Sequence, residues 1–237
     1  MEIETFNNYE FIKFQYENAV ILFSTAKGEL NFNKNTQEGL LKLEALKVNY
    51  DLHAIGYLNQ IHSDAIFNFD GNINDGDALI TDKTKTAIGV FTADCVPVIL
   101  VDTKKEAIAA VHSGWKGTKA LIVSKTIKRL QENYGSKAED IRVYIGPHIG
   151  ACCYEVSREL LEEFTSEDIY SNINISNNNK LDLEKCILAQ LIEKGVKEEN
   201  IWTTNTCTAC NKYYELYSYR NSKNKQGRMF SFVYLKQ

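Results

Sequence analysis

The sequence predicts an α/β or α+β fold, with a large mixed β-sheet core covered by helices. The middle of the chain contains short apolar runs rich in Val and Ile that are separated by turn residues, as buried strands are. Other segments place apolar residues at helical spacing and end at a glycine. No Pro- or Gly-rich seam divides the 237 residues, so we expect a single compact domain over residues 1–237.

The apolar runs that we expect to form strands are residues 78–81, 86–92, 96–102, 107–112 and 141–145. Near the end of the sequence, 213–219 and 229–235 alternate aromatic and polar side chains, which predicts a pair of strands. The Asn-rich stretch 172–179 predicts a loop.

Helices are predicted between and after these strands. Residues 118–134 carry apolar side chains at helical spacing, and Gly135 follows as a stop signal. Two more helices are expected in 157–164 and 181–194. When strands alternate with helices, loops begin at the strand ends. Functional side chains are often found in such loops, because the strands hold them rigidly.

Charge and hydropathy exclude several classes of protein. The formal charge of -4, without a basic stripe, argues against a nucleic-acid binder. The first ten residues are acidic and polar rather than signal-like, and charged residues interrupt the most hydrophobic stretches. We therefore expect a cytoplasmic protein with no membrane span. Its six cysteines are then better read as catalytic, metal-binding or core thiols than as disulfides.

Three segments place a possible metal ligand beside a predicted strand. His62 closes the segment 59–62, Cys95 precedes one apolar run, and His112 ends another. Two imidazoles and one thiolate form a donor set that suits Zn²⁺ and leaves a fourth position for water or substrate. The ligands are too far apart in sequence for a zinc ribbon. Cys95 as a small buried side chain is the alternative.

These segments belong to a longer series of motifs that resembles a known family. The other motifs are GDALIT at 76–81, IGPHIGACCYEV at 145–156, and CTAC at 207–210 followed by YSYR at 217–220. Together they resemble the family named for polyphenol oxidase (laccase) activity, whose bacterial members are also described as peptidoglycan editing factors and purine nucleoside phosphorylases. The resemblance covers about residues 19–235.

The resemblance implies a layered α/β sandwich with His62, Cys95 and His112 as metal ligands and catalytic residues. It also implies phosphorolysis of adenosine, inosine and methylthioadenosine, and hydrolytic deamination of adenosine, with nucleoside and phosphate as the small-molecule partners. Deamination follows from the predicted site, because zinc lowers the pKa of bound water to about 7 and so provides a nucleophile for C6 of adenine. Phosphorolysis additionally needs cationic or amide donors that hold phosphate near the sugar.

Candidate substrate-binding residues flank the ligands. Gln60 and Asp94 are placed to orient ligands or to bond substrate, although Asp94 could equally cap a turn. Arg220 is a candidate phosphate or carboxylate contact, as is Arg228, although arginines at strand ends are more often solvated.

The segment 114–118 offers another candidate surface, with Trp115 and Lys116 at the start of a helix whose amides could meet an anion. Many relatives carry arginine in place of Lys116, and lysine lacks the bidentate fork of arginine. The alternative is a tight turn with Thr118 as the helix N-cap.

Cys207 and Cys210 form a C-x-x-C motif, which often indicates zinc or redox chemistry. A structural zinc needs a second ligand pair, and His148 or the Cys152-Cys153 pair would have to lie nearby. Because sequence cannot show that proximity, we expect Cys207 and Cys210 to be buried thiols beside the pocket.

The hypothesis that we favour is a zinc-dependent purine nucleoside phosphorylase with adenosine deaminase activity. The alternative is an amidase that edits a peptidoglycan precursor, either as a metal enzyme or with Cys95 as nucleophile and His112 as base. A copper-dependent phenol oxidase is less favoured, because four histidines cannot furnish a blue-copper centre and a separate copper cluster. Copper at the same three ligands stays open, as does the oligomeric state.

Overall fold

The computed structural model describes residues 1–221 and 227–237. Its strands, in chain order, are β1 (Glu2–Phe6), β2 (Tyr9–Tyr16), β3 (Ala19–Ser24), β4 (Ala54–Gly56), β5 (Ile66–Asn68), β6 (Ala78–Thr81), β7 (Thr86–Thr92), β8 (Val96–Asp102), β9 (Ala107–Ser113), β10 (Arg142–Ile145), β11 (Ser176–Asn177), β12 (Lys180–Leu181), β13 (Ile201–Thr203) and β14 (Met229–Leu235). Its α-helices are α1 (Gln37–Asn49), α2 (Trp115–Lys119), α3 (Ile122–Tyr134), α4 (Arg158–Thr165) and α5 (Leu183–Glu193).

Most of the strands form two six-stranded mixed sheets rather than one large sheet. The first sheet has the order β1-β2-β3-β14-β7-β4, and the second has the order β13-β10-β8-β9-β6-β5. Neighbours are mainly antiparallel, and the short outer strands β4, β5 and β13 pair in parallel. The fold class is therefore the predicted mixed α+β, with the sheet divided in two.

Three apolar layers hold the elements together. The middle layer lies between the two sheets and includes Phe23, Ile99 and Val233. A second layer joins the second sheet to α3, α4 and α5, and a third joins the first sheet to α1. Burying each large apolar side chain contributes about 1.5–3 kcal/mol. This helix-sheet-sheet-helix sandwich is consistent with one domain over residues 1–237, which stays a prediction.

The strands predicted in the middle of the chain are confirmed to within one residue at each end. Strands β7, β8 and β9 are buried along their whole length, because each sheet is covered on both faces. Double coverage explains why these strands read as continuous apolar runs rather than as alternating patterns.

The predicted helix 118–134 is two helices. Leu121 adopts a left-handed conformation with φ 60°, which ends α2 and begins α3. Thr118 lies inside α2 rather than capping it, and its hydroxyl is 2.8 Å from Ser113 Oγ. The helix C-cap predicted at Gly135 is confirmed, with φ 69°. Leu121 breaks the helix without interrupting the apolar period, so sequence spacing could not show it.

The pair of strands predicted near the end of the chain is only half present. Residues 229–235 form β14, but 213–219 form no strand. The neighbours of β14 are β3 and β7, so its ladder is already complete. In the described parts of the chain, no helix combines the length and the apolar character needed to cross a membrane.

Candidate active site

The three predicted ligands converge. His62 lies in the loop after β4, Cys95 lies between β7 and β8, and His112 lies near the end of β9. Their donor atoms all lie within 4.8 Å of one another. Cys95 Sγ is 3.8 Å from His62 Nε2, and the two imidazole rings are 4.9 Å apart between centroids.

Strand pairing explains this convergence. Val96 pairs with Ser113 and Pro97 with His112, so the turn before β8 places Cys95 beside His112. The backbone at His62 has φ 58°, and at Asp94, next to Cys95, φ is 105°. Positive φ values are uncommon for residues with side chains and cluster at functional sites.

A buried carboxylate, Asp77, organises two of the ligands. One of its oxygens accepts from His112 Nδ1 at 2.7 Å and from the His62 amide at 3.1 Å. The other accepts from the amide and the hydroxyl of Ser63, at 2.6 and 2.7 Å. Burial would raise the pKa of Asp77, but hydrogen bonds from His112 and Ser63 outweigh it and lower that pKa.

Asp77 also fixes the tautomer of His112. A ring nitrogen that faces a carboxylate carries the proton, so Nε2 of a neutral His112 keeps its lone pair for a metal. Sequence reasoning did not identify Asp77 as a site residue. Its signal was the acidic residue directly before β6, but its meaning depends on the pairing of β6 with β9.

The site stabilises a thiolate. Burial would raise the pKa of Cys95, but His112 and His62 outweigh burial and lower that pKa to about 6. Burial would lower the pKa of His112, but Cys95 and Asp77 raise it to about 9. Cys95 is therefore ionised at neutral pH, as a metal ligand or a nucleophile must be.

The donor set fits a tetrahedral metal ion. Zinc-nitrogen and zinc-sulfur bonds imply a nitrogen-sulfur separation of about 3.6 Å, close to the 3.8 Å between His62 and Cys95. A side chain at Gly114 would place its Cβ 3.0 Å from His62 Cδ2 and 3.1 Å from Cys95 Sγ, so any larger residue would press on two of the ligands. Two imidazoles and a thiolate accept zinc or copper, and they leave a position open.

The ligands open into a cavity of about 570 Å³. Among the residues that the structure describes, three cationic side chains line it: Lys34, Arg220 and Arg228. Lys34 Nζ donates to Asn59 Oδ1 at 2.6 Å. Arg220 Nη1 donates to the Glu155 carbonyl at 2.9 Å. The aromatic residues of the wall are Phe91, Tyr154 and Tyr219.

Two predicted substrate-binding residues, Gln60 and Asp94, line the cavity and also form hydrogen bonds within the protein. Gln60 exchanges two 2.7 Å hydrogen bonds with the backbone of Phe91. Asp94 accepts from Thr208 Oγ1 at 2.6 Å and from the Arg220 amide at 2.7 Å. The side chains of Gln60 and Asp94 therefore hold the walls of the cavity in place.

Trp115 and Lys116 are not among the described residues that line the cavity. Both belong to α2, and the exposed Lys116 places its Nζ 5.5 Å from the centroid of the Trp115 ring. Their part in substrate binding stays a prediction. Lys34, by contrast, lies in an Asn-rich stretch that gave no signal in the sequence.

Cys207 and Cys210 are not buried as expected. Cys207 is half-buried and Cys210 is exposed, and both lie close to Cys152 and Cys153. Sequence spacing could not show this, because the two pairs belong to loops that are far apart along the chain.

Comparison with known proteins shows relatives over the whole chain. A purine nucleoside phosphorylase of Clostridium acetobutylicum is 49% identical over 235 residues, which cover 98% of this chain and 99% of that protein. An adenosine deaminase from an unknown prokaryotic organism is 32% identical over 165 residues, which cover 68% of this chain and 62% of that protein.

A solved structure has the same fold over nearly the whole chain. The hypothetical protein YfiH of Bacillus licheniformis superposes with a TM-score of 0.87 at 25% identity, over 97% of each chain. The profile of the multi-copper polyphenol oxidoreductase laccase family matches residues 33–236. This match, together with the predicted motifs and the shared fold, shows that the chain belongs to the multi-copper polyphenol oxidoreductase laccase family.

Proposed function

We propose that the protein is a zinc-dependent purine nucleoside phosphorylase that acts on adenosine, inosine and methylthioadenosine and also deaminates adenosine. The observation that carries the proposal is a nitrogen-sulfur donor set that opens into a cavity with three cationic side chains. The relatives named purine nucleoside phosphorylase and adenosine deaminase support the purine substrate.

In this proposal His62, Cys95 and His112 hold the metal ion. Bound zinc would supply Lewis acidity and would activate water at neutral pH. Asp77 keeps the His112 proton on Nδ1, away from the metal. All three ligands line the cavity, so a substrate in the cavity would reach the metal ion directly.

The cations of the wall suit phosphate. Phosphate oxygens form their strongest hydrogen bonds with charged donors, and arginine can bind two of them at once. The Arg220 guanidinium lies 5.4 Å from the centroid of the Tyr154 ring, so the cavity presents a cationic group for phosphate beside an aromatic side chain. A purine base can stack on such a surface.

Product analysis tests both reactions. Metal-replete protein should convert adenosine to inosine without phosphate, and should also form adenine and ribose 1-phosphate when phosphate is added. A chelator should abolish both reactions and zinc should restore them. Cys95→Ala should be inactive, while Cys186→Ala, a thiol in the α5 core, should retain activity. Release of neither adenine nor inosine by protein of verified metal content would refute the proposal.

A peptidoglycan-precursor amidase is the second candidate, because one specific geometry favours it. In this arrangement Cys95 would be the nucleophile and His112 its base. Asp77 would be the carboxylate that orients His112. A thiol enzyme would ignore the chelator, would lose activity on alkylation of Cys95, and would release an amino acid from an N-acyl amino-sugar precursor. Phenol oxidation by copper at the same ligands would need added copper. Cytoplasmic location stays a prediction.

A further inference from the structure

Four cysteines from two loops meet on the surface. Cys152 and Cys153 lie in the loop between β10 and α4, and Cys207 and Cys210 lie between β13 and β14. The four sulfur atoms all lie within 4.8 Å of one another, and Cys152 Sγ is 3.4 Å from Cys210 Sγ. None of the four lines the cavity described above.

The backbone holds the two loops together independently of the sulfurs. The His148 amide donates to the Thr206 carbonyl at 3.1 Å, and the Thr208 amide donates to the His148 carbonyl at 2.8 Å. In the first loop, the amides of Cys153 and Tyr154 both donate to the Gly150 carbonyl, which forms a tight turn. This turn directs two consecutive cysteines toward the C-x-x-C segment.

The backbone around Cys207 favours an anionic sulfur and lowers the pKa of that thiol, whereas burial raises the pKa of the Cys152 and Cys153 thiols. The Gly150 amide donates to Cys207 Sγ at 3.3 Å, and the amides of Ala209 and Cys210 also interact with that sulfur. Amide donors of this kind stabilise a thiolate. Lys180 donates to the Cys152 carbonyl at 2.8 Å and places a positive charge beside the cluster.

We propose that Cys152, Cys153, Cys207 and Cys210 bind a zinc ion in a closed structural site, separate from the His62, Cys95 and His112 site. Tetrahedral zinc with four thiolates requires sulfur-sulfur separations of about 3.8 Å. The four sulfurs lie within 4.8 Å of one another, so small side-chain movements would bring them to that spacing. Four protein ligands fill the coordination shell, so this ion would bind no substrate.

The site would anchor one wall of the cavity. Tyr154 follows the first cysteine pair in sequence, and Arg220 follows the second. Thr208, between Cys207 and Cys210, donates to Asp94 beside the candidate catalytic thiol. Zinc at the four cysteines would therefore fix the loops that present Tyr154 and Arg220.

Metal counting on two backgrounds tests the proposal. Cys95→Ala protein, purified under reducing conditions with zinc and desalted, should retain about one zinc ion per chain. The triple variant with Cys152→Ser and Cys210→Ser added should retain none. Cys186→Ala, added to Cys95→Ala instead, is the matched control and should leave the zinc content unchanged.

A second measurement avoids dependence on the folding of the triple variant. Metal-free Cys95→Ala protein titrated with Co²⁺ should develop the strong visible and near-ultraviolet bands of cobalt bound by thiolates, saturating at one equivalent. Zinc should bleach these bands. The unfolding temperature of the same protein should rise on addition of zinc, since the ion binds the folded state.

Three results would overturn the proposal. The first is Cys95→Ala protein without zinc and without cobalt-thiolate bands. The second is zinc content that survives removal of Cys152 and Cys210. The third is a Cys152–Cys210 disulfide, found by peptide mapping in protein isolated without reductant, that reduction and added zinc fail to convert into a metal site.

Discussion

Replacing the buried carboxylate behind the candidate metal ligands is the sharpest test of the site. The Asp77→Asn substitution keeps the shape of the side chain, but only one of its two terminal atoms remains an oxygen that accepts hydrogen bonds. Each carboxylate oxygen now accepts from at least two donors, including the His112 ring on one side and the Ser63 amide on the other. Either orientation of the asparagine amide therefore sets its own N–H groups against donors of the protein.

The two orientations have different costs. An NH₂ group facing His112 drives the ring proton to Nε2, which removes the lone pair that the metal needs. An NH₂ group facing Ser63 leaves the half-buried Ser63 amide without an acceptor, at a cost of about 1 kcal/mol of folding free energy or more. Changes to groups behind metal ligands typically weaken metal binding about 10–100-fold, or about 1.4–2.7 kcal/mol.

Zinc affinity is measured by competition with a colorimetric chelator, and stability by thermal unfolding of the metal-free protein. Asp70→Asn, which changes an exposed carboxylate bonded to Asn72, is the matched control and should alter neither quantity. Wild-type zinc affinity in Asp77→Asn would refute the role assigned to this carboxylate. Loss of stability with unchanged affinity would show that Asp77 acts on the fold alone.

Arg220→Gln should raise the KM for phosphate about tenfold or more, because a charged hydrogen bond to the anion is lost. Arg158→Gln, on the exposed face of α4, is the control and should leave this KM unchanged. Equal KM values for the two variants would contradict phosphate binding at Arg220. Phe23→Ala, in the layer between the sheets, should lower the free energy of unfolding in urea by about 3–5 kcal/mol. Val48→Ala, at a side chain that is 81% exposed, should change it by less than about 0.5 kcal/mol, and a small effect at Phe23 would mean that the inter-sheet layer contributes little. Because the pKa of His112 is raised to about 9 and that of Cys95 lowered to about 6, zinc must displace the His112 proton between these values. Zinc affinity should therefore rise about tenfold per pH unit from pH 6 to 9, and a flat pH profile in the chelator competition would contradict this.

Local signals allowed strands β6 to β10, strand β14 and the three ligands to be predicted from the sequence. Strands β7 to β9 are continuous apolar runs, and each ligand sits beside such a run or in a motif shared with the family. The division into two sheets could not be predicted, because it depends on which strands pair, and pairs such as β14 with β3 join distant parts of the sequence. The break at Leu121 was hidden for a different reason, since a left-handed residue leaves the apolar period on either side intact.

The parts of the site that sequence missed depend on contacts between distant segments. Asp77 gains its meaning only when β6 pairs with β9. Lys34 enters the cavity from a loop with no recognisable motif. The four-cysteine cluster needs the turn after Gly150 to meet the segment that begins at Cys207, and the C-x-x-C spacing alone left that open.

The place of β14 has a consequence for synthesis on the ribosome. It is the last strand in chain order, yet it lies between β3 and β7 in the first sheet. Until β14 has emerged, β3 and β7 each expose an apolar edge with unpaired backbone groups, which is a template for aggregation. During translation these unpaired edges can therefore contact other chains until β14 is synthesised. Pairing between strands so far apart in sequence also makes folding slow. Early-binding chaperones should therefore raise the yield of this protein more than that of a sheet built in chain order.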